Sequence, residues 1–411
     1  MNRRDLLKLP AVAGVLQATG LPVAGSPANV PASEPKRAHS NCDVAAYYWP
    51  AYHDEPLWRP FFRGTEGEWE IIRNAKPKWE GHNQPRVPLW GFEDESDPRV
   101  MAKKIRAAAA HSVNVLVFDW YWFQQASFLE KTIDEGFLKA ENNHLVRFYL
   151  MWANHDATTL WDLRRSAKNE VIWPGSVDRK NFDAVAERVI EKYFHHPSYY
   201  RIEGKPVFSI YDVSNLIQGL GGIDPTRRAL EAFDRRVRNA GLPGVHLQAI
   251  LWSRIPSGQE AVGVAGKQLT QRDVVKELGF QSLTNYQWVH LASPKENNGD
   301  YLNWAEAATA QWEKWSTEFG IPYFPHVSTG WDTNSRFVEA HREVATNTTP
   351  ASFAAYLCKA RRYAERYLKT KLITVNSWNE WSEGSYLEPD MRNGFGYLDA
   401  VKKVMSGEWD F

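Results

Sequence analysis

Two glutamates, Glu380 and Glu383, stand three residues apart, and four residues separate the first from an apolar run at residues 372–375. A third, Glu388, follows a few positions later. Carboxylates are seldom buried unless they are paired, and they gather where acid–base chemistry is done. Two carboxyl groups can break a glycosidic bond, because one protonates the leaving oxygen while the other stays ionised. The alternative is a strand–loop junction whose acids are simply solvated.

The spacing of the two glutamates favours a shared site. Three residues in a turn return a side chain to the same side, so both carboxyl groups can face one cleft. Like charges resist ionising together, so closeness alone would keep one carboxyl protonated near neutral pH. Flanking Trp378 and Trp381 are expected to limit solvent access, and Asn379 is a natural donor to a sugar hydroxyl.

The rest of the chain must position this pair. Apolar runs of strand length alternate with longer amphipathic stretches, which argues for parallel strands joined by right-handed crossovers. Eight such units predict an α/β fold, a single-domain (β/α)8 TIM barrel with long loops on its C-terminal face. A doubly wound open sheet is the alternative, but no Gly-rich phosphate loop follows the first run. The predicted strands are residues 43–52, 113–122, 147–154, 206–212, 245–252, 280–288, 323–332 and 372–380; the predicted helices are residues 97–111, 126–140, 182–194, 224–240, 270–278, 301–319, 351–368 and 396–405.

Nearly all of these runs begin apolar and end in polar and aromatic residues. In a barrel the C-terminal strand ends meet at one face, which is where active sites of this fold lie. A single Trp at a strand end is most often packing, but the pattern at nearly every end, with nineteen tryptophans in the chain, favours a sugar-lined cleft. The predicted substrate-binding residues are Tyr47, Tyr48, Trp120, Trp122, Asn154, His155, Tyr211, Trp252, Tyr286, His326, Trp331, Asn379, Trp381 and Glu388.

Composition narrows the function classes. The formal net charge is zero, so no nucleic-acid partner is indicated. No run of eighteen apolar residues is present, so no membrane span is predicted. His53, His155 and His326 form no HxH or HExxH pair, and no GxSxG elbow occurs, so we predict neither a metal, nor another cofactor, nor a serine triad.

The N-terminal segment has the pattern of a targeting signal. Arg3 and Arg4 precede a mildly apolar stretch, which resembles a twin-arginine export signal. We expect residues 1–40 to be signal and linker, residues 41–411 to be the catalytic domain, and the protein to be periplasmic or secreted. A disordered basic tail is the alternative. Cys42 and Cys358 are expected to be buried thiols, with a disulfide between them as the lesser alternative.

Several stretches resemble the glycoside hydrolase family 99 endo-α-mannosidases and, more closely, their WbsX-like relatives, often labelled glycosyltransferases. They are YYWPAYHDE, FDWYWF, YLMWANHD, GKPVFSIYD, PHVSTGWDTNSR, NSWNEWSEGSYLEPD and GFGYLDAV. The resemblance covers nearly all of the chain after residue 40, and the NEWxEG motif is its most specific part.

The resemblance implies a barrel and metal-independent cleavage with retention, with Glu380 and Glu383 as the catalytic pair. By analogy Glu383 is the general acid/base, and Glu380 acts on the sugar's own 2-hydroxyl to give a 1,2-anhydro intermediate. A glycosyl-enzyme route stays open. Two differences from the related hydrolases stand out. They usually carry His where this chain has Ser382, and loops 53–96 and 156–180 match them less closely. The resemblance therefore supports the catalytic pair more strongly than it supports a mannoside substrate.

Three functions are therefore weighed. The first is an exported glycoside hydrolase acting on an α-linked oligo- or polysaccharide, with a mannoside as first guess. The second is a glycosyltransferase of polysaccharide biosynthesis, against which stands the lack of a nucleotide-binding signature. The third is a non-catalytic carbohydrate-binding barrel, against which stands the presence of both glutamates. The sequence leaves open the sugar, the linkage, endo or exo action and the oligomeric state.

Overall fold

Eight parallel strands close into a barrel, which confirms the fold predicted from the alternating pattern. The computed structural model describes residues 42–411 apart from residues 63, 124, 163–165, 253–254 and 264–265, so the predicted signal segment lies outside the described residues. The barrel strands are β1 (Asp43–Tyr48), β2 (Val115–Phe123), β3 (Arg147–Trp152), β4 (Lys205–Ile210), β5 (His246–Ile250), β6 (Ser282–Thr284), β7 (His326–Ser328) and β8 (Leu372–Asn376).

The strand order around the barrel is β6-β5-β4-β3-β2-β1-β8-β7, and every neighbouring pair in this path is parallel. A parallel bridge between Leu283 and Tyr323 joins β6 to the segment entering β7 and closes the ring. Closure places all eight C-terminal strand ends on one face.

Helices follow the strands around the outside of the barrel. They are α1 (Trp69–Asn74), α2 (Pro98–Ala110), α3 (Arg179–Val189), α4 (Val213–Leu220), α5 (Ile223–Asn239), α6 (Gln271–Glu277), α7 (Tyr301–Thr309), α8 (Trp312–Phe319), α9 (Pro350–Tyr367) and α10 (Gly396–Ser406). Asp97 caps α2, since its side chain accepts the backbone N–H of Arg99, and Pro98 occupies the first turn.

One helix prediction was wrong, and another is divided in the structure. Residues 126–140 do not form one α-helix: Ala126–Phe128 pairs antiparallel with the end of β2, and Thr132–Phe137 forms a short π-helix. The hairpin continues the long strand β2, and this pairing overrides the helical pattern. The predicted helix 301–319 is divided into α7 and α8.

The loops contain minor strands and short helical turns. The minor strands are Arg201–Ile202, which pairs with β4, and the pairs Ala157–Thr158 with Val171–Trp173, Gly258–Val262 with Gln268–Leu269, and Asn379–Glu380 with Ser385–Tyr386. The short 3₁₀ and π turns are Pro56–Trp58, Asn143–Leu145, Thr159–Trp161, Ser166–Lys168, Ile190–Phe194, Trp288–His290, Lys295–Asn297, Asn334–Arg336 and Trp381–Glu383.

Cys42 and Cys358 are both buried and are not joined by a disulfide, as expected. Across the part of the chain that the structure describes, no helix has both the length and the apolar character needed to cross a membrane.

Candidate active site

The loop after β8 brings Glu380 and Glu383 together. Beyond the end of β8 the chain forms a two-residue strand that ends at Glu380, and the 3₁₀ turn Trp381–Glu383 follows at once. Side chains three apart on a 3₁₀ turn lie over one another, so the turn places both carboxyl groups on one side. Gly384, with φ +64°, then reverses the chain in a conformation that favours glycine.

Both carboxyl groups line an open cavity of about 370 Å³ on the C-terminal face. Tyr211 and Trp252 form one wall as a stacked pair, with ring centroids 5.1 Å apart and planes 17° from parallel. Flat aromatic faces of this kind suit a pyranose ring. The residues predicted from the sequence that line the cavity are Glu380, Glu383, His155, Tyr211, Trp252 and Tyr286.

The hydroxyl of Tyr286 joins two acids. It lies 2.6 Å from Oε2 of Glu380 and 2.8 Å from Oδ2 of Asp119. A phenol has one hydrogen, so it can donate to only one of these carboxyl groups. The other contact requires that carboxyl to carry a proton and donate to the phenol oxygen. This geometry therefore holds a proton between Asp119 and Glu380.

Arg336 supplies the positive charge of the site. Its Nη1 donates to Oε1 of Glu383 at 2.8 Å, and its Nη2 lies 3.6 Å from Oε1 of Glu380. Its Nη2 also lies 3.6 Å from Oε1 of Glu68, whose other oxygen accepts the indole N–H of Trp49 at 2.6 Å. One guanidinium thus faces several buried carboxyl groups.

Burial and crowding keep these acids protonated more readily than in water. Burial, and then the nearby charge of Glu383, raise the pKa of Glu380 well above its usual range. Burial raises the pKa of Glu383, although Arg336 opposes the shift. Burial also raises the pKa of Asp119 well above its usual range, against the hydrogen bond from Tyr286. Among the residues that the structure describes, Oε2 of Glu383 is buried and has no hydrogen-bond partner, which leaves it available to a ligand.

The cavity lining is strongly acidic. Apart from histidine and tyrosine, its ionisable side chains, in the part of the chain that the structure describes, are one arginine, Arg336, and five acids: Asp119, Asp156, Asp212, Glu380 and Glu383. Burial lowers the pKa of His155, and that of His290 to about 4, so both imidazoles are neutral at pH 7. Such a lining stabilises positive charge on a bound group and repels an anionic one.

Several predicted substrate-binding residues lie behind the cavity wall because of strand alternation. In β2, Trp120 and Trp122 point outward, where their indole N–H groups donate to Glu130 at 2.7 Å and Asn181 at 3.0 Å. Tyr48 likewise points outward, with its hydroxyl 3.2 Å from the sulfur of Met101. Neighbours on a strand face opposite sides, so these three residues do not contact a ligand in the cavity.

The polar residues around the catalytic loop brace it instead of lining the cavity. The Asn379 carboxamide accepts the backbone N–H of Trp49 at 2.8 Å and donates to its carbonyl at 2.9 Å. The indole N–H of Trp381 donates to Glu388 at 2.9 Å. Glu388 in turn pairs with buried Lys104. These three side chains were predicted to bind substrate, but their polar groups already bond to other residues of the protein.

The remaining predicted positions also lie outside the cavity lining. Tyr47 and His326 occupy the barrel interior; the Tyr47 hydroxyl donates to the carbonyl of Asn285 at 2.8 Å, and His326 lies 3.0 Å from the hydroxyl of Thr374. Asn154 donates to the backbone carbonyl of Asp212 at 2.7 Å and so anchors the start of α4. Trp331 is partly buried and packs against the core.

Sequence reasoning missed several lining residues. Asp119 and Tyr121 were recognised only as part of a polar strand end, although they alternate with the outward tryptophans and face the cavity. Arg336 ends a stretch that resembles known relatives, yet no local signal marks it as the partner of Glu383. Trp49 and His290 also line the cavity. Within the described residues, no three His, Cys, Asp or Glu side chains are grouped as a metal site requires; metal independence stays a prediction.

Comparisons with known proteins agree with this architecture. A family model described as "Glycosyltransferase WbsX" matches residues 44–401. Two curated relatives, both "Uncharacterized protein WxcX", from Xanthomonas campestris pv. campestris strains ATCC 33913 and B100, are 25% identical over 377 residues. The match covers 88% of this chain and 49% of each relative, so the chain spans about half the length of the curated relatives it matches.

Solved structures share the fold at low identity. A glycoside hydrolase-like protein superposes with a TM-score of 0.59 at 16% identity, covering 93% of this chain and 97% of the other. The GH99 endo-alpha-mannosidase from Bacteroides thetaiotaomicron superposes with a TM-score of 0.54 at 16% identity, covering 89% and 96%. At such identities the likeness establishes the barrel and its chain path.

Proposed function

The chain belongs to the WbsX family, and from that premise and the geometry of the site we propose that it is a glycoside hydrolase that cleaves an α-linked glycan with retention. One observation carries the proposal. Glu380 and Glu383 enter the same open, aromatic-walled cavity, and both have a raised pKa. A raised pKa lets a carboxyl group donate a proton at neutral pH, which is what departure of a glycosidic oxygen requires.

In the first step Glu383 acts as the general acid. Its Oε2 carries the proton to the glycosidic oxygen as the bond from that oxygen to C1 breaks. Glu380 accepts the proton of the sugar's 2-hydroxyl, whose oxygen attacks C1 and forms a 1,2-anhydro sugar. In an α-mannoside the 2-hydroxyl and the leaving group are trans, as this attack needs.

In the second step water opens the anhydro ring. Glu383, now ionised, takes a proton from the water as the water oxygen bonds to C1 and the C1–O2 bond breaks. Glu380 returns its proton to O2. The two inversions at C1 give net retention, and both carboxyl groups recover their starting protonation. A glycosyl-enzyme formed by direct attack of Glu380 is the alternative route.

The charge of the cavity supports hydrolysis. Positive charge develops at C1 and the ring oxygen in an oxocarbenium-like transition state. Even with one proton held between Asp119 and Glu380 and a second on Glu383, the ionised acids of the lining outnumber its one arginine, Arg336, and so favour that charge. The same excess of acids disfavours a sugar diphosphate donor.

The test compares Glu383→Gln and Glu380→Gln with the wild-type protein and with Glu318→Gln, a control at an exposed position on α8. On α-linked mannans and oligosaccharides, each active-site variant should lose about 10²-fold or more in kcat. An aryl α-mannoside with an activated leaving group should restore the first step in Glu383→Gln only, because its departure needs no proton. Full turnover in Glu383→Gln would reject Glu383 as the general acid, and a wild-type protein that binds a glycan without cleaving it would favour a binding protein.

A glycosyltransferase is the second candidate, favoured by the description of the family itself. Parallel assays separate the two reactions. Nucleotide release from sugar nucleotides that depends on an acceptor glycan, with no cleavage of any glycan, would support the transferase and overturn the hydrolase.

A further inference from the structure

A second cavity, which we call the side cavity, lies beside the active site on the same face of the barrel. It measures about 280 Å³, below the range of about 300–1,000 Å³ typical of drug-sized ligands, so it suits one sugar-sized group. It is lined by residues that follow β7 and β8, including Thr329 and Gly384, and by Trp79 from the loop after β1. Nothing in the proposed reaction uses it.

Arg86 forms the inner wall of the side cavity. Its Nη2 donates to Oδ2 of Asp332 at 3.0 Å, and its Nη1 lies 3.5 Å from the Asp332 carbonyl oxygen. A guanidinium has five N–H donors, so three have no protein acceptor among the described residues. The Arg86 side chain is only 12% exposed, which confines those donors to the cavity.

The carboxylate of Asp332 offsets the charge of Arg86 but has little capacity left to accept from a ligand, because both of its oxygens accept hydrogen bonds from the protein. Nε2 of His82 lies 2.9 Å from Oδ2, and Nδ1 of His82 accepts the backbone N–H of Lys78 at 3.1 Å. Nε2 of His82 therefore donates to Asp332. The Asn334 backbone and side-chain N–H groups donate to the other oxygen at 3.0 and 2.7 Å. Asp332 is saturated by these contacts.

Arg392 adds a second positive charge at the mouth. It is exposed, and its guanidinium pairs with no carboxylate in the described part of the chain. Arg86, Arg392 and Tyr397 line the same cavity, so both guanidinium groups border it. Two arginines and one saturated carboxylate leave the side cavity cationic, opposite in sign to the active site.

The aromatic and amide groups distinguish the side cavity from a simple anion site. Trp79 is held between the ring of His82, at 3.9 Å, and the guanidinium of Arg342, at 4.5 Å. Tyr397 and Asn83 also line the cavity. The Asn83 carboxamide can hydrogen-bond a sugar hydroxyl, and the fixed rim of Trp79 gives the cavity an apolar edge.

We propose that the side cavity binds a carboxylate-bearing sugar, a uronate residue, of the glycan that the active site cleaves. Bidentate contact with arginine suits a planar carboxylate. The wall between the two cavities is thin: the backbone N–H of Asp332 donates to the carbonyl of Glu383 at 2.6 Å. A Cβ on Gly384 would clash with the Arg86 guanidinium, so the catalytic loop packs directly on Arg86. That the uronate belongs to the cleaved glycan rests on the proposed function; the binding itself does not.

The test uses the full-length chain carrying Glu383→Gln, so that no turnover interferes. Binding of glucuronate, glucose and inorganic phosphate is measured by saturation-transfer NMR and calorimetry, without and with Arg392→Gln. Arg235→Gln, an exposed position on α5 outside the side cavity, is the matched control for charge. Because Arg392 is exposed and forms no ion pair with the residues that the structure describes, its replacement should leave the melting temperature unchanged.

Glucuronate should bind more tightly than glucose or phosphate, and Arg392→Gln should raise its Kd about tenfold while Arg235→Gln should not. Equal binding in both arginine variants, or phosphate binding as tight as glucuronate binding, would overturn the proposal. Arg392-dependent glucuronate binding in a protein that cleaves no glycan would support the uronate site and reject the hydrolase function. Glycan cleavage without glucuronate binding would support the hydrolase function and reject the uronate site.

Discussion

Arg336 directs two of its nitrogens at the hydroxyl oxygen of Ser382, with Nε at 3.0 Å and Nη2 at 2.6 Å. The remaining nitrogen, Nη1, donates to Glu383 at 2.8 Å. Ser382 stands where the related hydrolases usually carry a histidine. The serine hydroxyl thus anchors the guanidinium that faces the proposed general acid.

Ser382→Ala should loosen Arg336, because two buried N–H groups lose their acceptor, at a cost of about 1–3 kcal/mol in the free energy of unfolding. Arg336 lowers the pKa of Glu383, so its movement away should raise that pKa. The basic limb of the kcat/KM profile, where the acid loses its proton, should therefore move to higher pH. Ser335→Ala is the control, since the Ser335 hydroxyl donates to the Ser382 carbonyl and not to Arg336. If the basic limb of the Ser382→Ala profile stays at the wild-type pH, the contact between Ser382 and Arg336 does not control the pKa of Glu383.

Tyr286→Phe should reduce kcat and shift the acidic limb of the pH profile. The Tyr286 hydroxyl lowers the pKa of both Asp119 and Glu380, so removing it raises both. Glu380 must be ionised to accept the 2-hydroxyl proton, so the acidic limb should move to higher pH. Tyr301→Phe removes a buried hydroxyl that donates to the Ser328 carbonyl at 2.8 Å, away from the site, and should leave the limb in place. The same shift in both variants would indicate a general loss of structure.

Asp119→Asn should stabilise the fold at neutral pH. The pKa of Asp119 is raised in the folded state, so between its ordinary pKa and the raised one the folded protein holds a proton that the unfolded chain has released. Stability then falls as pH rises through that window, and the neutral amide removes this loss. Chemical denaturation at pH 4 and pH 7 should show the variant's advantage at pH 7 only. A variant less stable than wild type at pH 7 would show that Asp119 is ionised in the fold.

Lys104→Met should destabilise the protein strongly. Lys104 is buried and pairs with buried Glu95 and Glu388, which would be left as uncompensated charges at a cost of about 3–5 kcal/mol. Adjacent Lys103 is the matched control, because its side chain is 38% exposed and pairs with Glu93 at the surface, where such pairs contribute about 0–1 kcal/mol. Urea unfolding of the two Lys→Met variants makes the comparison. Equal stability of the two would refute the importance of the buried cluster.

The barrel could be predicted from the sequence because it depends on local patterns. All eight strands and seven of the eight predicted helical regions contain the expected element. The exception, residues 126–140, failed because Phe128 pairs with Tyr121 of β2, and this tertiary pairing outweighs helical propensity.

The orientation of side chains within strands could not be predicted in the same way. All nine residues of β2 are buried, since the barrel interior covers one face and helices cover the other. Hydropathy therefore does not alternate along this strand, so it cannot show that Asp119 and Tyr121 face inward while Trp120 and Trp122 face outward. Six of the predicted site residues line the cavity. The others do not, because the alternation of side chains along a strand points them away from it or because they hydrogen-bond within the protein.

The sequence by itself determined the eight alternating units and the three-residue spacing that brings Glu380 and Glu383 to one side, because both depend on near neighbours in the chain. Only the tertiary structure decided what surrounds that pair: Arg336 from the loop after β7, Tyr286 from the loop after β6, and Asp119 from within β2. The same holds for the opposite charges of the two adjoining cavities. Contacts between distant segments follow from barrel closure, and closure places side by side residues that no local pattern connects.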